Sequence, residues 1–367
     1  MSPINIIEYE NLYKLNKSFF DDYKETFEKI FDSGWFILGN QVTEFEKSFA
    51  SYCGSQFCAG VANGLDALIL SLKAFEFPAG KEVIVPSNTY IATILSILHC
   101  GLKPVLVEPD IATYTLDPSK IENSITGNTV AIMVVHLYGK CCEMNLINNT
   151  AKRYGLKVIE DCAQAHGATF KGKKAGTFGH FGAFSFYPTK NLGALGDGGC
   201  VNSDDESLIS TIKTLRNYGS QKKYYNEIVG YNSRLDEIQA GFLSVKLKHL
   251  EAINKHKKKL ATLYSAGLKN DFIKPVEHPD YSDVYHIYAI RHPKRDQLKN
   301  YLQEHNIKTE IHYPVPPHQQ MAVRPVFFGQ HYPISEEIHR TILSLPISYF
   351  HTEKDVEKVI ETMNKFL

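Results

Sequence analysis

Lys190 lies between an apolar run, Gly182 to Tyr187, and a turn-rich segment that closes on Gly198-Gly199. A lysine in that setting is partly desolvated, which lowers its pKa and frees the amine for attack on a carbonyl. Upstream, a second apolar run, Val158-Ile159, ends in Glu160-Asp161. An acid at the tip of one strand and an amine just past another suit an electrophilic pyridine cofactor. The amine binds it covalently, and the carboxylate keeps the ring nitrogen protonated, so that the ring is an electron sink. The plainer reading of Asp161 is a helix cap. Gln164 can donate to the cofactor's phenolic oxygen or be an ordinary surface glutamine. Ser185 can hold a phosphate through its hydroxyl, and Tyr90 can stack on the ring. Asn63-Gly64 marks a strand-to-helix turn, whose free N–H groups form a generic anion site, although many such turns carry no ligand.

Alternating patterns place these residues. Strands are predicted over 57–62, 82–86, 103–108, 131–136 and 157–161, with helices over 65–75, 89–100, 116–125 and 144–154. Such alternation implies crossover units, a mainly parallel sheet and ligands outside the carboxyl ends of the strands. Four segments then share one rim: 63–64, 87–90, 136–139 and 161–164. Earlier in the chain, Phe19, Tyr23, Phe27 and Ile30 recur at helical spacing, and a second helix spans 43–52. Between them, Trp35 to Gly39 reads as core packing, or else as a wall of a ligand site or a subunit contact. Downstream, a helix over 206–218 precedes a long helix over 235–263. The lysines at 255 and 257–259 in that long helix read as a solvated face. A smaller α+β tail follows, with strands over 285–290 and 308–312, a helix over 295–305 and a last helix over 353–367.

Composition narrows the function. The 367 residues carry 40 basic and 40 acidic side chains, so no polyanion partner such as nucleic acid is indicated. Seven cysteines without a C-x-x-C pair argue against a disulfide framework and for a reducing cytoplasm. No apolar run approaches the ~20 residues of a membrane span, and no partner membrane is expected. A metal site is not indicated. Cys141-Cys142 are adjacent, and His166 and His180 lack ligand spacing. No G-x-S-x-G elbow is present.

The strings GVANGLDAL (60–68), VIVPSNTYIAT (83–93), VVHLYG (134–139), VIEDCAQAHGA (158–168), FSFYPTKNLGALGDGG (184–199), LRNYGS (215–220) and GYNSRLDEIQA (230–240) span most of the chain. Together they resemble the DegT/DnrJ/EryC1/StrS family of sugar aminotransferases, which are pyridoxal 5'-phosphate enzymes. The resemblance implies PLP-dependent transferase fold type I, the aspartate aminotransferase-like α/β fold. Its large domain (1–245) holds a mainly parallel seven-stranded sheet, and a small α+β C-terminal domain (246–367) follows. It also implies that Lys190 binds the cofactor, Asp161 pairs with its ring nitrogen, Gln164 meets its hydroxyl and Tyr90 stacks on it. Ser185 and the Asn63-Gly64-Leu65 turn would hold the phosphate. Ser-Gly-Thr is common in that turn, so here backbone donation must carry more. Asn232 would reach the phosphate of a neighbouring subunit, giving a homodimer with shared sites.

Tyr187 and the GDGG turn resemble members that aminate C3 of a nucleotide-linked keto sugar, with Tyr187, Tyr224, His312 and Tyr313 as substrate contacts. The likeness points to transfer from L-glutamate to a dTDP-linked 3-keto-6-deoxyhexose, galacto or gluco, for surface glycans or other glycoconjugates. A UDP-linked 3-keto sugar acid is the alternative substrate, and a non-catalytic PLP-binding regulator a further one.

Overall fold

The computed structural model describes residues 6–366. A seven-stranded sheet runs in the order Phe57–Val61, Gly199–Ser203, Phe181–Ser185, Lys157–Asp161, Thr129–Val135, Glu82–Pro86, Lys103–Val107. Only Gly199–Ser203 runs against the rest, so the remaining carboxyl ends share one edge. The central strands carry apolar stretches on both faces because both faces are covered. Val83 and Val85 enter one layer and Ile84 the other. Helices Gly64–Lys73, Ile91–His99 and Glu206–Leu215 pack on the first face. Helices Asn40–Cys53, Met144–Tyr154 and Glu237–Leu247 pack on the second. None of the helices among the described residues is long and apolar enough to cross a membrane.

A separate core joins helices Leu250–Gly267, Arg295–Glu304 and Glu353–Met363 to the strand pair Tyr288–Arg291 and Ile342–Leu345. Ile7 belongs to that core and bridges to Ile307.

Several expectations are corrected. The helix expected over 235–263 breaks at Lys248-His249. The break turns its apolar stripe from Ala240 and Leu243, which face the sheet, to Leu260 and Tyr264, which face the second core. Residues 308–312 form no strand, because their backbone bonds divide between Ile7 and Ser344. Of residues 116–125, only Pro118–Ile121 is α-helical, followed by a 3-10 turn. The strand before the lysine ends at Ser185, so Tyr187 lies beyond it. Lys257 is buried, while Lys255, Lys258 and Lys259 are exposed as expected. Phe27 and the Trp35 to Ile37 segment face solvent rather than core, Trp35 at 63% exposure. The last helix stops at Met363, and Leu367 lies outside the described residues.

Candidate active site

Asp161 ends its strand with its carboxylate buried. Oδ1 accepts the Ala163 N–H at 3.1 Å, and Oδ2 accepts the Thr93 hydroxyl at 2.9 Å. Burial lifts the carboxyl above its ordinary pKa, while Ala163, Thr93 and the Lys190 charge act the other way. A protonated ring nitrogen would add the cation that this buried acid lacks.

Lys190 sits in the loop after Phe181–Ser185, its backbone N–H donating to Tyr187 O at 2.9 Å. Burial pushes its amine down to about 8, and Asp161 opposes the shift. A substantial fraction is therefore uncharged near neutrality, as a nucleophile and proton carrier requires.

The phosphate-sized cradle is built by glycine. Asn63 caps helix Gly64–Lys73, its side chain accepting the Asp66 N–H at 2.8 Å. The N–H groups of Gly64 and Leu65 lie in the first turn, where the helix offers no acceptor. A Cβ on Gly64 would fall 2.5 Å from Ser185 Cβ, so only glycine lets the helix start approach that serine. A Cβ on Gly199 would fall 2.5 Å from the Asn63 carbonyl, which accounts for the last glycine of GDGG. Ser185 Oγ accepts the Tyr187 N–H at 3.3 Å and keeps its own proton to donate. A buried acid, a depressed lysine and an N–H cradle beside a serine fit pyridoxal phosphate in its ring nitrogen, carbonyl and phosphate.

Gln164 has a more connected position than a surface glutamine. Its Oε1 accepts the Tyr138 N–H at 2.6 Å, and its Nε2 donates to the Tyr313 hydroxyl at 3.0 Å. One amide N–H is left for a ring oxygen. The Tyr313 ring lies 5.0 Å from that of Tyr90, centroid to centroid. His312 pairs through Nδ1 with Ser344 Oγ at 2.9 Å, and its carbonyl accepts the Tyr138 hydroxyl at 2.5 Å. Tyr90, Gln164, His312 and Tyr313 thus belong to one linked rim.

Three expected residues are exposed. Tyr187 opens to solvent while its backbone N–H donates to Ser185 Oγ and its carbonyl accepts the Lys190 N–H. Tyr224 lies at the tip of the hairpin joining Ser220–Lys222 to Tyr225–Asn226. Asn232 is exposed beside Ser233, whose Oγ accepts the Ala62 N–H at 3.2 Å. Thr93, Tyr138 and His286 escaped the sequence reading as site residues. The first two lie inside the strings VIVPSNTYIAT and VVHLYG, whereas His286 carries no local signal.

Among the described residues, one cluster has metal-ligand side chains: His136, Glu160 and Cys162. Its polar atoms serve the fold. Glu160 accepts the N–H groups of Gly176, Phe178 and Gly179 at 2.6–2.8 Å, and meets His136 Nε2 at 2.8 Å. His136 Nδ1 accepts the Cys142 N–H, so a neutral ring satisfies both nitrogens.

The profile of the DegT/DnrJ/EryC1/StrS aminotransferase family matches residues 19–364. The chain belongs to this family. Within the DegT/DnrJ/EryC1/StrS aminotransferases, it is 50% identical over 362 residues to the dTDP-3-amino-3,6-dideoxy-alpha-D-galactopyranose transaminase of Aneurinibacillus thermoaerophilus, covering 98% of this chain and 99% of that one. The crystal structure of S. venezuelae DesV in complex with a ketimine intermediate matches with a TM-score of 0.96 at 39% identity, over 98% of both chains. Bacillus subtilis NtdA with bound cofactor PMP matches at 0.92 and 29% identity, over 99% of this chain and 86% of that chain. The large, mostly parallel α/β sheet is that of this aminotransferase family.

Proposed function

We propose that this chain transfers the amino group of L-glutamate to C3 of a dTDP-linked 3-keto-6-deoxyhexose, using pyridoxal 5'-phosphate. The observation that carries the substrate is the 50% identity, over nearly the whole of both chains, with a transaminase of that product class. The depressed Lys190 amine across from the buried Asp161 supports the chemistry.

When bound, the cofactor supplies an electron sink for the carbon attached to the transferred nitrogen. Asp161, steadied by Thr93 and Ala163, holds the proton on the ring nitrogen. The Gly64 and Leu65 N–H groups and the Ser185 hydroxyl take the phosphate. Gln164 gives its remaining N–H to the ring oxygen, and Tyr90 covers the ring. Lys190 Nζ would anchor the cofactor and, when free of it, would serve as general base and then general acid. Tyr187, Tyr224, His312 and Tyr313 are assigned to the sugar nucleotide.

The active unit is read as a homodimer. Phe31, Trp35, Phe36 and Ile37 form an exposed apolar run close to Phe27, an area that monomers rarely leave in water. Asn232 then serves the neighbour's phosphate. Seven free thiols, six of them buried, fit a cytoplasmic protein. The deciding experiment supplies glutamate with dTDP- and UDP-linked 3-keto sugars and reads product mass and fragmentation. Amination of the dTDP-linked 3-keto-6-deoxyhexose at C3 is expected. Turnover of the UDP-linked sugar acid alone would replace the dTDP assignment.

A further inference from the structure

Among the described residues, Lys190 Nζ has one side-chain neighbour within hydrogen-bond reach, His286 Nε2 at 3.5 Å. The other ring nitrogen, Nδ1, is buried and finds no partner among the described residues. His136, in contrast, engages both nitrogens, with Glu160 and Cys142. His286 uses only the one that faces the lysine.

Its place is fixed from several sides. Lys257 Nζ donates to His286 O at 3.2 Å and to Asn191 Oδ1 at 2.9 Å. Asn191, the residue after Lys190, donates from Nδ2 to Val284 O at 2.9 Å. Val284 N–H donates to Gly139 O at 3.0 Å, and a Cβ on Gly139 would lie 3.0 Å from His286 N. The buried Lys257 therefore ties the histidine's backbone to the residue next to the reactive lysine.

We infer that His286 is a positioning residue for Lys190, accepting a hydrogen bond at Nε2 from the lysine amine whenever that amine is not bound to the cofactor. The inference rests on Lys190 being the cofactor lysine. Burial keeps the imidazole neutral, and the charges of Lys190 and Lys257 act in the same direction. A neutral acceptor orients the amine and favours its charged form, though less strongly than a carboxylate would. The titratable groups around the pair are Asp161, His166, His312 and Lys257. Of these, Asp161 favours the Lys190 ammonium, while the two histidines are kept neutral by burial.

The test reads the amine directly. Full-length protein freed of cofactor is labelled with acetic anhydride across a pH series, and Lys190 acetylation is quantified by peptide mass spectrometry. Loss of the acceptor in His286→Leu should lower the labelling midpoint by about one pH unit, since a hydrogen bond to the charged form favours it. His286→Gln, which keeps an acceptor near Nε2, should retain the native midpoint. In loaded enzyme, His286→Leu should slow the glutamate half-reaction roughly tenfold at unchanged glutamate KM. His286→Phe replaces the leucine variant if that one does not fold. An unmoved midpoint in the acceptor-free variant, or a glutamine variant that shifts with it, overturns the inference. If Lys190 is not the cofactor lysine, native protein lacks a visible band that Lys190→Ala abolishes, whatever the labelling shows.

Discussion

Thr93 donates its hydroxyl to Asp161 Oδ2 at 2.9 Å from the helix that follows a different strand, Glu82–Pro86. The acid is therefore held by two crossover units at once. Thr93→Val keeps the shape and removes the donor. A buried acceptor without its partner costs about 1–3 kcal/mol, so cofactor affinity should fall roughly 5- to 150-fold. Thr93→Ser should bind nearly as the native chain does. Equilibrium dialysis with pyridoxal phosphate measures both, and a valine variant of native affinity refutes the coupling.

Lys190→Ala removes the covalent anchor and the proton carrier together. The visible absorbance of lysine-bound cofactor should vanish, and turnover should drop by at least ~10²–10⁴-fold, the usual worth of acid–base catalysis. Absorbance spectra and a coupled 2-oxoglutarate assay report the two effects separately. Full activity in this variant sinks the assignment of the lysine.

The pH dependence of cofactor capture follows from burial. A lysine at about 8, instead of its ordinary 10.5, is charged below that pH and neutral above it. Only the neutral amine attacks a carbonyl. The loading rate of cofactor-free protein should therefore climb as pH rises through about 8 and then level. Stopped-flow absorbance checks this, and a rate still rising at pH 10 would show an unshifted lysine.

Gly64→Ala places a methyl carbon 2.5 Å from Ser185 Cβ, where the helix start meets the serine. The cradle must open to admit it. The gain in melting temperature on adding pyridoxal phosphate should shrink well below the native gain, because that gain scales with affinity. An undiminished gain would place the phosphate elsewhere.

Shared sites can be tested by complementation. Lys190→Ala and Asn232→Ala chains, each weak alone, are mixed under conditions of subunit exchange. If Asn232 serves the neighbour, one site of each mixed dimer is native in both residues, and activity in an equal, fully exchanged mixture returns toward about a quarter of native. If Asn232 serves its own chain, mixing restores nothing.

Much of this was readable wherever the cause was local. The strands Glu82–Pro86 and Lys157–Asp161 each hold an apolar stretch, Val83 to Val85 and Val158-Ile159, that a doubly covered sheet demands, and the helix Met144–Tyr154 shows its own stripe and glycine stop. Lys190 and Asp161 stood out because each ends an apolar run. Lys257 did not, since its neighbours in sequence are lysines that remain in water, and only the fold turns this one inward toward Asn191. His286 was invisible for the same reason, its partner lying 96 positions away. Trp35 to Ile37 misled because aromatic runs usually signal core, and a surface awaiting a second copy has the same composition.

The start of helix Asn40–Cys53 carries one more consequence. Its free N–H groups at Gly39, Gln41 and Val42 are all received by Glu237, at 2.7–3.0 Å, from as far as 198 positions downstream. During synthesis the chain emerges amino end first. Until Glu237 has left the ribosome, the segment bearing Trp35 and Phe36 has no acceptor to fix its direction. The proposed pairing surface therefore takes shape only after the whole seven-stranded sheet, whose last strand ends at Ser203, has been made. Subunits would then recognise each other only once each has made its own share of the cofactor site.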